Sequence, residues 1–308
     1  MASIVSRRAI CLPTGARPFV PRPVILLDAN VLIPFDPRDT LLKAAEHNLC
    51  RAVCSEIILA EVRRNYPKVR KAGDATEKTR QADALVNALR DSFRSAYAMI
   101  ARYERHIPRM RNDEKDRHVT AAAWEAGRGT IIVTYNTKDF RAEHLAPFHL
   151  SATRPDPFLM RLFRADPDAC AAIVREQARE RRRPPMSAGE ILDGLATDAP
   201  AYAKAVREQM RLLFVPLSEG EVARLRTIPR AEHEHIDDLV VRAAQAWMAN
   251  PPSPTDIPAR RPKDATVGVT VEIPDFIAAA VRRVSGEQRL PLALADAVRR
   301  WLSPSPLS

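Results

Sequence analysis

Val24-Ile25-Leu26-Leu27-Asp28-Ala29-Asn30-Val31-Leu32 opens the part of the chain whose reading decides the fold. The run Val24–Leu27 is long enough only for a buried strand, and an aspartate closes it. A second apolar run, Ile131-Ile132-Val133 within Thr130–Thr134, is followed by Asp139. Between the two, Asp39–His47 and Ser55–Tyr66 have helical spacing, with Asp39 and Ser55 as expected N-caps. Asp74–Tyr97 is a longer helical pattern, polar on one side, and Asp116–Ala126 is another, stopped by Gly127 and Gly129. Strands alternating with helices imply crossover connections, hence an α/β domain on a parallel sheet.

In such a sheet ligands bind beyond the carboxyl ends of the strands, which is where Asp28 and Asp139 fall. Glu61 lies in the helical stretch Ser55–Tyr66, and Asp116 opens the next helix but one, where the helix dipole favours a negative charge. Taken singly, each has a structural reading. Asp113 or Asp116 serves as a helix cap, Glu61 as a surface helix residue, and Asp139 as a cap on the turn before Phe140. Taken together, four carboxylates with no His or Cys companions are the donor set of a hard divalent cation. Packed carboxylates repel and their pKa values rise unless a cation neutralises them. Mg²⁺ or Mn²⁺ does so, and also polarises a phosphate and activates water.

Composition narrows the partners. The 308 residues carry 48 Lys and Arg against 38 Asp and Glu, a formal charge of +10, which favours polyanions through phosphate contacts. Charge of this size also simply keeps a protein soluble. No run reaches the roughly 18 apolar residues of a membrane span. The N-terminal stretch to Pro23 has only short apolar pieces among its arginines, unlike a secretory signal. Cys11, Cys50, Cys54 and Cys170 are too scattered for a disulfide framework, so a cytoplasmic protein with ordinary thiols and no membrane partner is expected.

Four blocks of this segment resemble the PIN-domain ribonucleases, particularly the toxins of VapBC-type toxin–antitoxin pairs. They are Leu27-Asp28-Ala29-Asn30-Val31-Leu32, Ile58-Leu59-Ala60-Glu61-Val62, Asp116-Arg117-His118-Val119-Thr120-Ala121-Ala122-Ala123 and Val133-Thr134-Tyr135-Asn136-Thr137-Lys138-Asp139-Phe140. The resemblance implies a parallel sheet flanked by helices, Mg²⁺ or Mn²⁺ at the acidic site, and endonucleolytic cleavage of RNA by in-line attack of water on phosphorus. By that analogy Asp28, Glu61, Asp116 and Asp139 are the catalytic metal ligands, with Thr134 and Asn136 orienting ligands or water and Asp113 supporting them. The fourth ligand falls at either Asn136 or Asp139. His118 is expected to pack or hydrogen-bond, since this mechanism needs no histidine base. An antitoxin protein and a second copy of the chain are the protein partners implied.

Downstream the strand signal vanishes. Asp156–Phe163, Asp166–Arg181, Ser187–Leu195 and Pro200–Met210 read as four short helices, which resemble the C-terminal extension of one subgroup of those toxins. The basic run Arg179–Arg183, broken by Pro184-Pro185, reads as a solvated helix end, with an RNA-contacting patch as the alternative.

The last hundred residues hold a weak internal repeat. Leu213–Leu217, Ser218–Arg226 and Ile236–Met248 correspond to Val269–Ile273, Asp275–Val284 and Leu290–Leu302. Each unit reads strand–helix–helix and resembles the ribbon–helix–helix fold of DNA-binding antitoxins, in which two strands pair into one antiparallel ribbon that enters the major groove. Val269, Val271 and Ile273 are expected to face the helices, and Thr270 and Glu272 to face outward. Pro216 interrupts the first strand, and neither ribbon shows the outward Arg, Lys or Asn that base reading needs. A dimerisation module, or a helical bundle with two core tryptophans, explains the segment as well as a DNA partner does. His233 and His235 read as a solvated helix start.

The organisation expected is therefore a tail (1–22), a PIN-like nuclease domain (23–152), a helical extension (153–211) and a tandem strand–helix–helix module (212–303). The function expected is metal-dependent cleavage of RNA by a toxin of a type II toxin–antitoxin system. The alternatives are a regulatory nucleic-acid- or protein-binding chain acting through the repeat with a vestigial acidic site, and a PIN-type nuclease of RNA maturation or defence.

Overall fold

In a computed structural model of the chain, residues 22–95, 97–181, 184–228, 234–253 and 255–303 are described. The tail reading, Cys11 and His233 lie outside them. Strand β1 (Val24–Leu27) leads into the one-turn helix α1 (Ala29–Leu32), then α2 (Phe35–Glu46). Strand β2 (Arg51–Ser55), α3 (Glu56–Val69), α4 (Ala75–Ser95) and β3 (Ala98–Ile100) follow. Then come α5 (Arg117–Ala126), β4 (Ile131–Val133), α6 (Ala142–Leu145) and β5 (Ser151–Thr153). The strands form one parallel sheet in the order β3-β2-β1-β4-β5, with Leu26 opposite Val53 on one side and Leu27 opposite Val133 on the other. This is the α/β architecture the sequence implies. β2, β3 and β5 are strands the sequence reading does not contain.

Strand order explains the site's position. From β1 the chain winds outward through β2 to β3, then returns to place β4 on the opposite side of β1. The crevice at such a reversal lies beyond the carboxyl ends of the two strands, here β1 and β4. Ser55 caps α3 by accepting the Ile58 N–H, as expected. Asp39 is not a cap: α2 already begins after Pro34, which fixes an extended backbone there, and Asp39 instead accepts from the Gln177 amide at 2.8 Å.

Helices α7 (Pro155–Ala165), α8 (Pro167–Glu180), α9 (Ala188–Leu195) and α10 (Pro200–Gln209) follow the sheet. Their apolar faces join the sheet's own core, which runs without a break from Ile25 to Met210. Lys43 of α2 is tied to Glu176 and Glu180 of α8 at 2.8 and 2.9 Å. Cys50, Cys54 and Cys170 are buried free thiols.

A second core spans Val215 to Leu302. It is built from β6 (Leu213–Leu217), α11 (Glu219–Thr227), α12 (Ile236–Ala249), β7 (Val267–Val271), α13 (Asp275–Ser285) and α14 (Leu290–Leu302). β6 and β7 pair antiparallel about Val215 and Val269, so the two repeats close one ribbon inside a single chain. Val215, Leu217, Val269 and Val271 are buried beneath it, whereas Ile273 lies past the strand end and is partly buried. Trp247 is a core residue that donates to Asp296 at 3.0 Å. Trp301 is only partly buried, under Arg242, so the reading of two core tryptophans holds for one.

Part of the ribbon's other face meets the chain, although Phe214 on it stays 45% exposed. A Cβ on Gly189 of α9 would collide with the Thr270 side chain and carbonyl, so only glycine permits this approach. Arg175 of α8 forks onto Glu272 at 2.6 and 2.7 Å. His235, expected in solvent, is buried at the start of α12, where packing against the helical region leaves 7% of it exposed. Asp237, two residues on, is buried as well.

Burial pushes the Asp237 carboxyl up to about 8, although backbone N–H groups of Glu272 and Ala188 favour its ionised form and Asp238 and Glu272 oppose it. A carboxyl raised by folding binds its proton more tightly in the folded chain than in the unfolded one. Its contribution to stability is therefore present below 3.8 and lost as pH rises to about 8. Asp237→Asn should shrink the stability difference between about pH 5 and about pH 8 seen in urea denaturation of the wild type.

Candidate active site

β1 ends directly at Asp28, and β4 ends directly at Thr134, so strand pairing sets these two side by side. The Asp28 backbone N–H donates to the Val133 carbonyl at 3.1 Å. The Thr134 hydroxyl donates to Asp28 Oδ2 at 2.7 Å, and the Ala29 N–H donates to Oδ1 at 2.7 Å. Asn30, which the sequence reading quoted without a role, completes the network. Its amide donates to Asp28 Oδ2 at 2.8 Å and to Thr134 Oγ1 at 3.0 Å, and its carbonyl accepts the Tyr135 N–H at 3.1 Å. The Asn136 N–H donates to Thr134 Oγ1 at 3.0 Å. The spacing Asp28-x-Asn30 was the available signal, because a one-turn helix places both side chains over the end of β1.

Burial raises the Asp28 carboxyl and the Glu61 charge raises it further, while the Thr134 hydroxyl, the Ala29 N–H and His118 pull it down. Asp116, in the N-cap position of α5, makes no cap hydrogen bond, and its Oδ2 is buried without a hydrogen-bond partner. Burial, Asp28, Asp139 and Asp113 push it up to about 6 against the pull of Lys115. Asp113 instead caps the short 3-10 turn Glu114–Asp116 ahead of α5, its carboxylate accepting the Lys115 N–H at 3.2 Å.

The other two acids behave oppositely. Burial works against ionisation of Glu61, but His118 and Arg64 outweigh it and hold the carboxyl below its usual range. His118, buried on α5, sets Nε2 3.4 Å from Glu61 Oε2, and Arg64 lies 3.1 Å from Oε1. Asp139 is likewise held low: partial burial is outweighed by the Asn136 amide, which donates to it, and by Lys115 at 3.4 Å. Asn136 thus serves Asp139 in this arrangement.

Asp28 feels the charge of Glu61, and Asp116 feels the charges of Asp28 and Asp139. Among the described residues, no three His, Cys, Asp or Glu side chains form a closed cation cage. Glu61 and Asp139 are turned to neighbouring cations, and Asp28 and Asp116 carry the unrelieved charge. An all-oxygen set with a buried, unpartnered Asp116 oxygen fits a hard divalent cation.

Residues 155–208 match a family model described as the VapC50 C-terminal domain. A stretch of 105 residues is 34% identical to "Putative ribonuclease VapC50" of Mycobacterium tuberculosis. That stretch is 34% of this chain and 62% of the relative, so the chain is its homologue over part of the length of each. No solved structure matches the chain. No helix among the described residues is long and apolar enough to cross a membrane.

Thr134→Val keeps the side-chain shape and leaves a buried Asp28 oxygen short of a donor. The expected cost is about 1–3 kcal/mol in chemical denaturation, and Thr134→Ser, which keeps the hydroxyl donor, should avoid most of that loss.

Proposed function

We propose that the chain is a metal-dependent endoribonuclease that cleaves RNA phosphodiester bonds as the toxin of a type II toxin–antitoxin pair. The observation that carries this reading is the pair of raised carboxyls at the sheet's switch point, Asp28 and Asp116, beside a chain-wide excess of positive charge. Homology to a protein named as a ribonuclease supports the substrate class. An antitoxin protein and a second copy of the chain are the partners that go with it.

Asp28 and Asp116 would hold Mg²⁺ or Mn²⁺, joined by Glu61 and Asp139. Bound there, the cation would supply Lewis-acid activation of phosphate and water. The chain's own residues do the positioning. Thr134 and Asn30 lock the Asp28 carboxylate in one orientation, and His118 does the same for Glu61. Arg64 and Lys115, both exposed and now paired to Glu61 and Asp139, are placed to exchange those carboxylates for substrate phosphate oxygens. Part of the ribbon's outward face, at Thr270 and Glu272, packs on α9 and α8, which weighs against the rival reading of DNA binding through the repeat.

Purified wild type should cut a mixed RNA pool in Mn²⁺ and not in EDTA, and Asp28→Asn should be inactive at unchanged thermal midpoint. Equal cutting by wild type and Asp28→Asn would contradict the reading.

Cation binding should also stabilise the fold, by about 2.7 kcal/mol at a hundredfold excess over Kd. Asp116→Asn should lose most of that gain. Its metal-free form should be no less stable than wild type above pH 6, because the substitution removes a charge that Asp28 and Asp139 oppose.

A further inference from the structure

A groove of about 550 Å³ lies between the turn after α1 and the C-terminal half of α3. It joins the exposed Phe35 ring and the partly buried Tyr66 ring to guanidinium groups. Phe35 is 44% exposed and Val69, which also lines the groove, is 58% exposed. The Arg181 guanidinium lies 3.8 Å from its ring centre and the Arg38 guanidinium 5.1 Å. Arg70 stands 5.7 Å over Tyr66. Arg38 is pinned by donating to the Leu32 and Ile33 carbonyls at 2.7 and 3.1 Å, and Arg181 by Asp36 at 3.1 Å. Three arginines therefore line the groove against one aspartate. Arg181 belongs to the basic run Arg179–Arg183 and, contrary to the solvated reading of that run, is half-buried over Phe35.

Both walls continue the elements that carry the acidic site. Phe35 follows α1, whose N-cap is Asp28. Tyr66 and Arg70 follow Glu61 on and just past α3, about 7 to 14 Å along by helical rise. An unpaired RNA strand offers what these walls would recognise: flat bases to stack on rings and guanidinium planes, and phosphates to pair with arginine. A paired helix keeps its bases inside the stack and offers phosphates alone.

We propose that this groove binds unpaired RNA flanking the scissile bond, with Phe35 and Tyr66 as the stacking platforms and Arg181 and Arg70 as their phosphate partners. The proposal rests on the ribonuclease reading for its substrate and adds where, and in what form, that substrate is held.

The test is binding of a labelled mixed-sequence oligoribonucleotide to the full chain in EDTA, read by fluorescence anisotropy, alone and annealed to its complement. Wild type should prefer the unpaired strand. Phe35→Ala should weaken that binding roughly tenfold at unchanged thermal midpoint. Phe35→Leu, which keeps an apolar side chain without a flat ring, should weaken it similarly. Equal binding of unpaired RNA by wild type, Phe35→Ala and Tyr66→Ala would overturn the proposal. So would unchanged RNA binding together with loss of a co-purifying polypeptide in Phe35→Ala, which would assign the groove to protein. Ring-dependent binding without any Mn²⁺-dependent cutting by wild type would leave the groove standing and remove the nuclease reading. Cutting with ring-independent binding would do the reverse.

Discussion

The pairing of β1 with β4 is the constraint on which the rest depends. Because the winding order reverses at this pair, Asp28 and Thr134 emerge together at the carboxyl ends of the two strands. A carboxylate there is 6% exposed and yet must be satisfied. Thr134, Asn30 and the Ala29 N–H supply that satisfaction, and in doing so fix its direction. Buried polar networks of this kind are costly when incomplete and specific when complete. The other acids then arrive from elements whose positions the same sheet dictates: Glu61 from the helix after β2, Asp116 from the start of α5, Asp139 from the turn after β4.

The site is electrostatically divided. Glu61 and Asp139 are compensated by His118, Arg64 and Lys115, while Asp28 and Asp116 are raised by burial and by their like-charged neighbours. Such a division pushes titrating groups apart, as functional sites commonly do. It separates carboxylates compensated by neighbouring basic side chains from carboxylates that burial and like charge leave raised.

Much of this was legible in the sequence because it is local. Val24–Leu27 and Ile131–Val133 are continuous apolar runs and declare themselves as central strands. Glycines end α5, and Ser55 caps α3. The strands β2, β3 and β5 are different. Arg51–Ser55 begins with a charge, while Ala98–Ile100 and Ser151–Thr153 are three-residue segments whose strand character comes from pairing with a neighbour. Asp39 misled because a good capping residue lay just inside a helix that Pro34 already starts. The four acids could be named from spacing, but their division into compensated and uncompensated pairs could not, since Lys115 and His118 act across elements. The layering of Arg181 on Phe35 and of Thr270 on Gly189 is likewise a tertiary fact without local signal.

The C-terminal repeat shows how one fold's surface can be reassigned. Its two strands close a ribbon within one chain, and that ribbon sets Glu272 and Thr270 of its outward face against α8 and α9. The central claim, however, concerns the acidic crevice, and anomalous scattering from crystals grown in Mn²⁺ tests it most directly. The account predicts a peak bound by Asp28 and Asp116. A crystal whose crevice stays empty at saturating Mn²⁺, or whose peak lies away from both residues, would contradict it.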